Sequence, residues 1–154
     1  MRKATAALRR LGTGGTGASG AAGASVTGRT LWFQSISNAT SGQCLGHQQD
    51  TSGTCPAGTA ASFTFNYQVV TPGVLTRLWA ELNNTRAPTA GQSWIVTVRV
   101  NGVASTLTCT IIGPAVACEG ASVVAVVAGD QVQVQVTAVG SPQTTGFKTY
   151  VTFS

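Results

Sequence analysis

The stretch Trp94-Ile95-Val96-Thr97-Val98-Arg99-Val100-Asn101-Gly102-Val103 decides the fold class of this chain. Trp94, Val96, Val98 and Val100 recur at every second position, and Ile95, Thr97 and Arg99 fill the alternate ones. Successive side chains of a strand point to opposite faces, so this pattern predicts a strand with one apolar face. Asn101-Gly102 then ends it. A two-residue hairpin needs positive φ at its central positions, and Asn and Gly accept that conformation most readily. A partner strand over 106–112 follows.

Working outward, the same period recurs. Phe63, Phe65, Tyr67 and Val69 share one face against Thr64, Asn66 and Gln68. Val132, Val134 and Val136 alternate with Gln131, Gln133 and Gln135. Residues 147–153 read as the last strand, and further strands are expected at 31–37, 74–82 and 123–127. Turn signals separate them: Pro72-Gly73, 88–91, Gly113-Pro114, Gly129-Asp130 and 140–142. About eight to ten such strands predict an all-β fold, an antiparallel β-sandwich.

Composition agrees. The chain has 154 residues, enough for one domain with a short appendage. Only 8% of them are charged, against about 25% in an average soluble domain. Disordered chains are charge-rich and poor in β-branched residues, and coiled coils need Glu, Lys and Leu; neither describes this sequence. Four Asp+Glu and one His leave few ways to assemble acid–base or metal chemistry. The net charge of +5 is concentrated at one end. Arg2, Lys3, Arg9 and Arg10 supply four of nine positive charges, and the rest of the chain carries five positives against four negatives.

The chain therefore divides into a basic arm (1–12), a glycine-rich neck (13–25) and a β body (26–154). In the arm, Leu8 and Leu11 stand three apart beside Arg2, Lys3, Arg9 and Arg10. That combination suits a docking segment that orders on an acidic or apolar partner; a solvated terminus is the plainer reading. No aromatic interleaves the charges, so nucleic acid is not the expected partner. In the neck, Gly14, Gly17, Gly20 and Gly23 recur at every third position, the spacing of a triple helix, although the tract is short and contains no proline. A flexible linker is the alternative. The longest apolar run, 123–128, falls far short of the ~20 residues of a membrane span. Residues 4–8 are too short for the apolar core of a signal peptide and are interrupted by Arg9 and Arg10, so Met1 is read as the start of the working protein.

Cys44 and Cys55 flank a polar loop, and Cys109 and Cys118 flank Gly113-Pro114. Four cysteines allow three pairings, of which the local one, Cys44–Cys55 with Cys109–Cys118, is the simplest. Four reduced thiols of a reducing compartment are the other reading. Cys44-x-x-His47, with Asp50 and Cys55 close by, has zinc-like spacing but lacks a second cysteine pair, so no metal and no cofactor are expected. His47 is the single imidazole and no G-x-S-x-G elbow occurs, so no catalytic residues are assigned and the chain is read as not an enzyme.

Strand 74–82 bears on assembly. If Thr76, Leu78, Ala80 and Leu82 face the core, then Leu75, Arg77, Trp79 and Glu81 face outward. An outward tryptophan wants cover, and Trp and Arg are favoured in subunit interfaces.

The segments 63–69, 94–102 and 123–139, with the turn Ala128-Gly129-Asp130 and the glycine triplets upstream, resemble the C1q/TNF-like jelly roll, most closely its short bacterial and phage versions. The resemblance covers roughly residues 30–154. It implies a compact homotrimer with the last strand, including Tyr150, in the inner sheet near the three-fold axis. The trimer interface is then expected at Leu75, Arg77, Trp79, Glu81 and Tyr150. The expected function is that of a structural virion protein: a trimeric phage capsid decoration protein or short head fibre, made in the host cytoplasm, carried on the virion surface, and docked on the capsid or another virion protein by its arm. Disulfides then form after lysis. The alternative is a receptor- or glycan-binding knob of a fibre or a bacterial surface-layer head, acting through exposed loops such as 41–59.

Overall fold

The fold is taken from a computed structural model that describes residues 28–49, 51–56, 65–83 and 86–154, without the side chains of 36–38. The arm and the glycine-rich neck lie outside the described residues. No helix among the described residues is long and apolar enough to cross a membrane.

Among the described residues ten strands follow one another: β1 (Arg29–Ala39), β2 (Gln43–His47), β3 (Ser52–Thr54), β4 (Tyr67–Gln68), β5 (Gly73–Leu82), β6 (Ser93–Val100), β7 (Val103–Ile112), β8 (Ala117–Val126), β9 (Gln131–Val139) and β10 (Thr145–Phe153). All pair antiparallel in one sheet of order β7-β6-β9-β2-β1-β10-β5-β8, with β3 added to β2 and β4 to β9. The expected sandwich is thus one curled sheet. Its two halves meet through β1 and β2, paired at Phe33 and His47, and it nearly closes into a barrel where β7 comes against β8.

Ladder pairing does not make that last contact; side chains do. Cys109 is bonded to Cys118, and Thr106 Oγ1 lies 2.6 Å from Ser122 Oγ. Gly120 lets β8 come this close, because a Cβ there would collide with the Thr108 carbonyl. The second bridge, Cys44–Cys55, ties β2 to the segment after β3. The local pairing expected from the sequence is the one formed. Opening Cys109–Cys118 as Cys109→Ser/Cys118→Ser releases a loop of nine residues' separation. In the chain-entropy account this costs about 2.5–3 kcal/mol, to be read as a lower urea midpoint, with a slope equal to or slightly steeper than the parent's because the unbridged unfolded chain is less compact.

The inward faces follow the period-2 pattern. Trp94, Val96 and Val98 of β6 are buried, as are Leu107, Cys109 and Ile111 of β7 and Val132, Val134 and Val136 of β9. Phe33 and Phe147 fill the middle, with Trp94 edge-on to Phe147 at 5.2 Å. Buried Thr149 is satisfied by donating to the Phe33 carbonyl at 2.8 Å. The hairpin after β6 forms as expected, with φ of 52° at Asn101 and 78° at Gly102.

Two expectations are corrected and one alternation is qualified. Gln131 and Gln133, on the face alternate to the valines, are buried as well, because β4 pairs over Gln131 and the Pro56 carbonyl accepts from Gln133 Nε2 at 3.3 Å. Of the strand expected at 63–69 only Tyr67–Gln68 forms, pairing briefly with β9, and Asn66 is buried while Phe65 and Tyr67 are half-buried; Phe63 and Thr64 lie outside the described residues. The polar loop between Cys44 and Cys55 contains two short strands, β2 and β3, anchored by buried Leu45.

Candidate interaction face

The outer surface of β1, β10, β5 and β8 is ordered by register. Trp32, Tyr150, Trp79 and Glu119 are direct neighbours across the four strands. On one side runs the row Thr30, Thr152, Arg77, Ala121, and on the other Gln34, Lys148, Glu81, Ala117. Such cross-strand neighbours have Cβ atoms about 4.5–5.5 Å apart, so the three aromatic residues occupy adjacent positions of one row. Trp32 and Trp79 remain 38% and 40% exposed.

The charges on this face are paired. Glu119 accepts from Arg77 Nε at 2.8 Å, and Lys148 Nζ stands 3.8 Å from Glu81. Thr30, Arg77, Trp79, Glu119, Tyr150 and Thr152 line an open depression of about 390 Å³. Beyond Glu119, the outward positions of β8 are small or apolar: Ala121, Val123 and Ala125 are all exposed. A strand whose solvent side is apolar in this way is an interface signal.

Of the five residues expected at an interface, Arg77, Trp79, Glu81 and Tyr150 lie together on this face. Leu75 does not. Its side chain is fully buried in the core. The register slips by one residue at Thr76 against both β10 and β8, and this bulge restarts the alternation, so that Leu75 and Leu78 both point inward. Sequence reasoning missed Trp32 and the β8 contribution. Trp32 was legible, standing between inward Leu31 and Phe33; on β8 the unbroken run from Val123 to Val127 hides the alternation.

The zinc-like cluster does not assemble as thiolates, since Cys44 and Cys55 are bonded to each other; Asp50 lies outside the described residues. His47 packs between Phe33 (5.2 Å between centroids) and Tyr67 (5.4 Å). Burial there disfavours the imidazolium and lowers its pKa below the ordinary 6.5. The unfolded chain therefore binds this proton more readily than the folded one. The stabilisation from neutral His47 is complete above pH 6.5 and is lost as pH falls through 6.5 toward the folded value. Urea midpoints should accordingly drop between about pH 7.5 and 5.5, where His is the side chain that ordinarily titrates. In His47→Gln that drop should disappear; an unchanged slope against pH would reject the assignment.

No model of a known protein family matches the chain, and no curated protein is similar to it.

Proposed function

We propose that this chain is the subunit of a homotrimeric structural protein of a virion surface, a capsid decoration protein or short head fibre, whose head is a TNF-like jelly roll and whose arm (1–12) docks on the particle. The aromatic row Trp32-Tyr150-Trp79 carries the reading. Three rings on a regular sheet face, flanked by internally paired charges, are apolar where subunits must desolvate and already neutral where charge would oppose it. Strand order supports the jelly roll: β8-β5-β10-β1 and β7-β6-β9-β2 form the two halves, and the chain crosses between them repeatedly, as in a double Greek key. The exposed apolar strip of β8 and the aromatic row are non-identical patches of one face. Contact between one patch and the other patch of a neighbouring subunit is heterologous, and heterologous contacts close into rings when the rotation permits. Two disulfides suit a protein that works outside the reducing cell.

The test has two parts. The protein should sediment as a trimer at micromolar concentration, and it should bind particles purified from a deletion strain that lacks it. Removal of residues 1–12 should abolish particle binding and leave the trimer intact. A monomer that binds oligosaccharides through the open depression would instead favour the glycan-binding knob.

A further inference from the structure

We propose that the pole of the barrel at which Gly28 enters β1 is a second contact surface, seated on the same protein partner that receives residues 1–12. The inference rests on the docking reading above.

Three turns and both ends of the described body meet at this pole. Gly28 lies against the Phe153 backbone, and Ser154 exchanges backbone hydrogen bonds with Val74 at 2.7 and 3.0 Å. The turn after β8 is joined to the segment after β4: Val69 N donates to the Asp130 carbonyl and Gly129 N to the Val69 carbonyl, both at 2.8 Å. The hairpin after β6 is joined to the same turn. Asn101 Nδ2 donates to Asp130 Oδ1 at 2.8 Å, and Asn101 Oδ1 accepts from Gln131 N at 2.9 Å. Asp130 Oδ2 accepts from Val127 N at 2.8 Å, so both carboxylate oxygens are engaged inside the turn. Arg99 Nε donates to the Gly102 carbonyl at 3.1 Å, and its Nη1 to Gln135 Oε1 at 3.0 Å.

This bracing fixes the polar groups and leaves valines at the tips. Val70, Val103 and Val127 are 69%, 70% and 59% exposed, one in or beside each turn. Side chains held by a rigid frame cost little entropy to bury, which favours them as contact points. Exposed apolar residues also occur toward the opposite pole (Ile112, Val116 and Val139), so exposure alone does not choose between the ends. The path of the chain does. The arm's Arg2, Lys3, Arg9 and Arg10 precede Gly28 in the chain and are therefore tethered at this pole and not at the other. The partner is accordingly a protein surface with acidic groups for the arm and an apolar patch for the three valines.

The experiment compares full-length protein with Val70→Ser/Val103→Ser/Val127→Ser and with Ile112→Ser/Val139→Ser, by co-sedimentation with particles from the deletion strain. All three should sediment alone as the same trimer and melt alike. The valine triple variant should bind particles roughly ten-fold or more weakly, and the opposite-pole variant should bind as the parent does. Undiminished binding by the triple variant, with binding still lost on removal of 1–12, overturns this inference and leaves the docking reading standing. Failure of the full-length protein to bind overturns both. Flotation with vesicles of anionic phospholipid that depends on the three valines, without particle binding, assigns the pole to a membrane and rejects a protein partner.

Discussion

If the proposed trimer forms through the aromatic row, Trp32→Thr/Trp79→Thr is expected to sediment as a single chain under conditions where the parent sediments as three, with an unchanged β-rich circular dichroism spectrum. Both rings stand on the outer face of strands whose inner faces hold Leu31, Phe33, Leu78 and Ala80, so their removal takes nothing from the core. Threonine keeps the β-branched preference for strand geometry. What is lost is the apolar centre of the face. Binding energy concentrates in a few desolvated aromatic and arginine residues, each costing about 2 kcal/mol or more on truncation. Two such positions per subunit, repeated around a ring, outweigh the association of a small trimer at micromolar concentration. The flanking pairs Arg77–Glu119 and Lys148–Glu81 are half-exposed and contribute little by themselves. Glu119→Gln should therefore weaken assembly far less than the double tryptophan variant. A double variant that remains trimeric would place the interface elsewhere, and a monomeric parent would remove the trimer altogether.

Trp94→Ala is expected to lower the folding free energy by about 3–5 kcal/mol, the range for truncating a large aromatic in a packed core. Trp94 is 1% exposed, sits edge-on to Phe147, and is flanked in register by Ile111 of β7 and Ala138 of β9. The cavity would open in the middle of the half-barrel where neighbouring backbone is held by ladders on both sides, so little of it can collapse. Trp94→Phe should cost about 1.5 kcal/mol or less. Among the described residues the indole N–H of Trp94 has no hydrogen-bond partner, and phenylalanine removes that buried donor along with part of the ring. The comparison is best made in the Trp32→Thr/Trp79→Thr background, where unfolding does not depend on concentration. Similar losses for Ala and Phe would show that the indole group, rather than ring volume, is what the core needs.

Much of the body was legible from local pattern. In β6 the alternation from Trp94 to Val98, the Asn101-Gly102 turn and the facing strand β7 form as the residues dictate, because each depends on neighbours a few positions apart. The two local disulfides belong to the same class. Arg77, Trp79 and Glu81 were legible as an outward set for the same reason. Leu75 was not, since a bulge is chosen by the register of two flanking strands and leaves no mark in a single strand's own pattern. The burial of Gln133 left no mark in the local pattern, because its cover comes from Pro56, 77 residues away.

The sequence by itself determined that this protein is built of strands, where most of them turn, and that most of its net positive charge is gathered before residue 12, and it offered the local cysteine pairing as the simplest of three. Only the tertiary structure decided that Trp32 and Trp79 become neighbours of Tyr150 across one face, that the Val70, Val103 and Val127 tips meet at the pole where Gly28 enters, and that the sheet curls until β7 meets β8. The division has a physical cause. Strand and turn preferences act over two to four residues, where the side-chain period and φ are felt directly. Which strand lies beside which is settled by burial of the whole apolar set at once, and that sum is visible only when the chain has closed on itself.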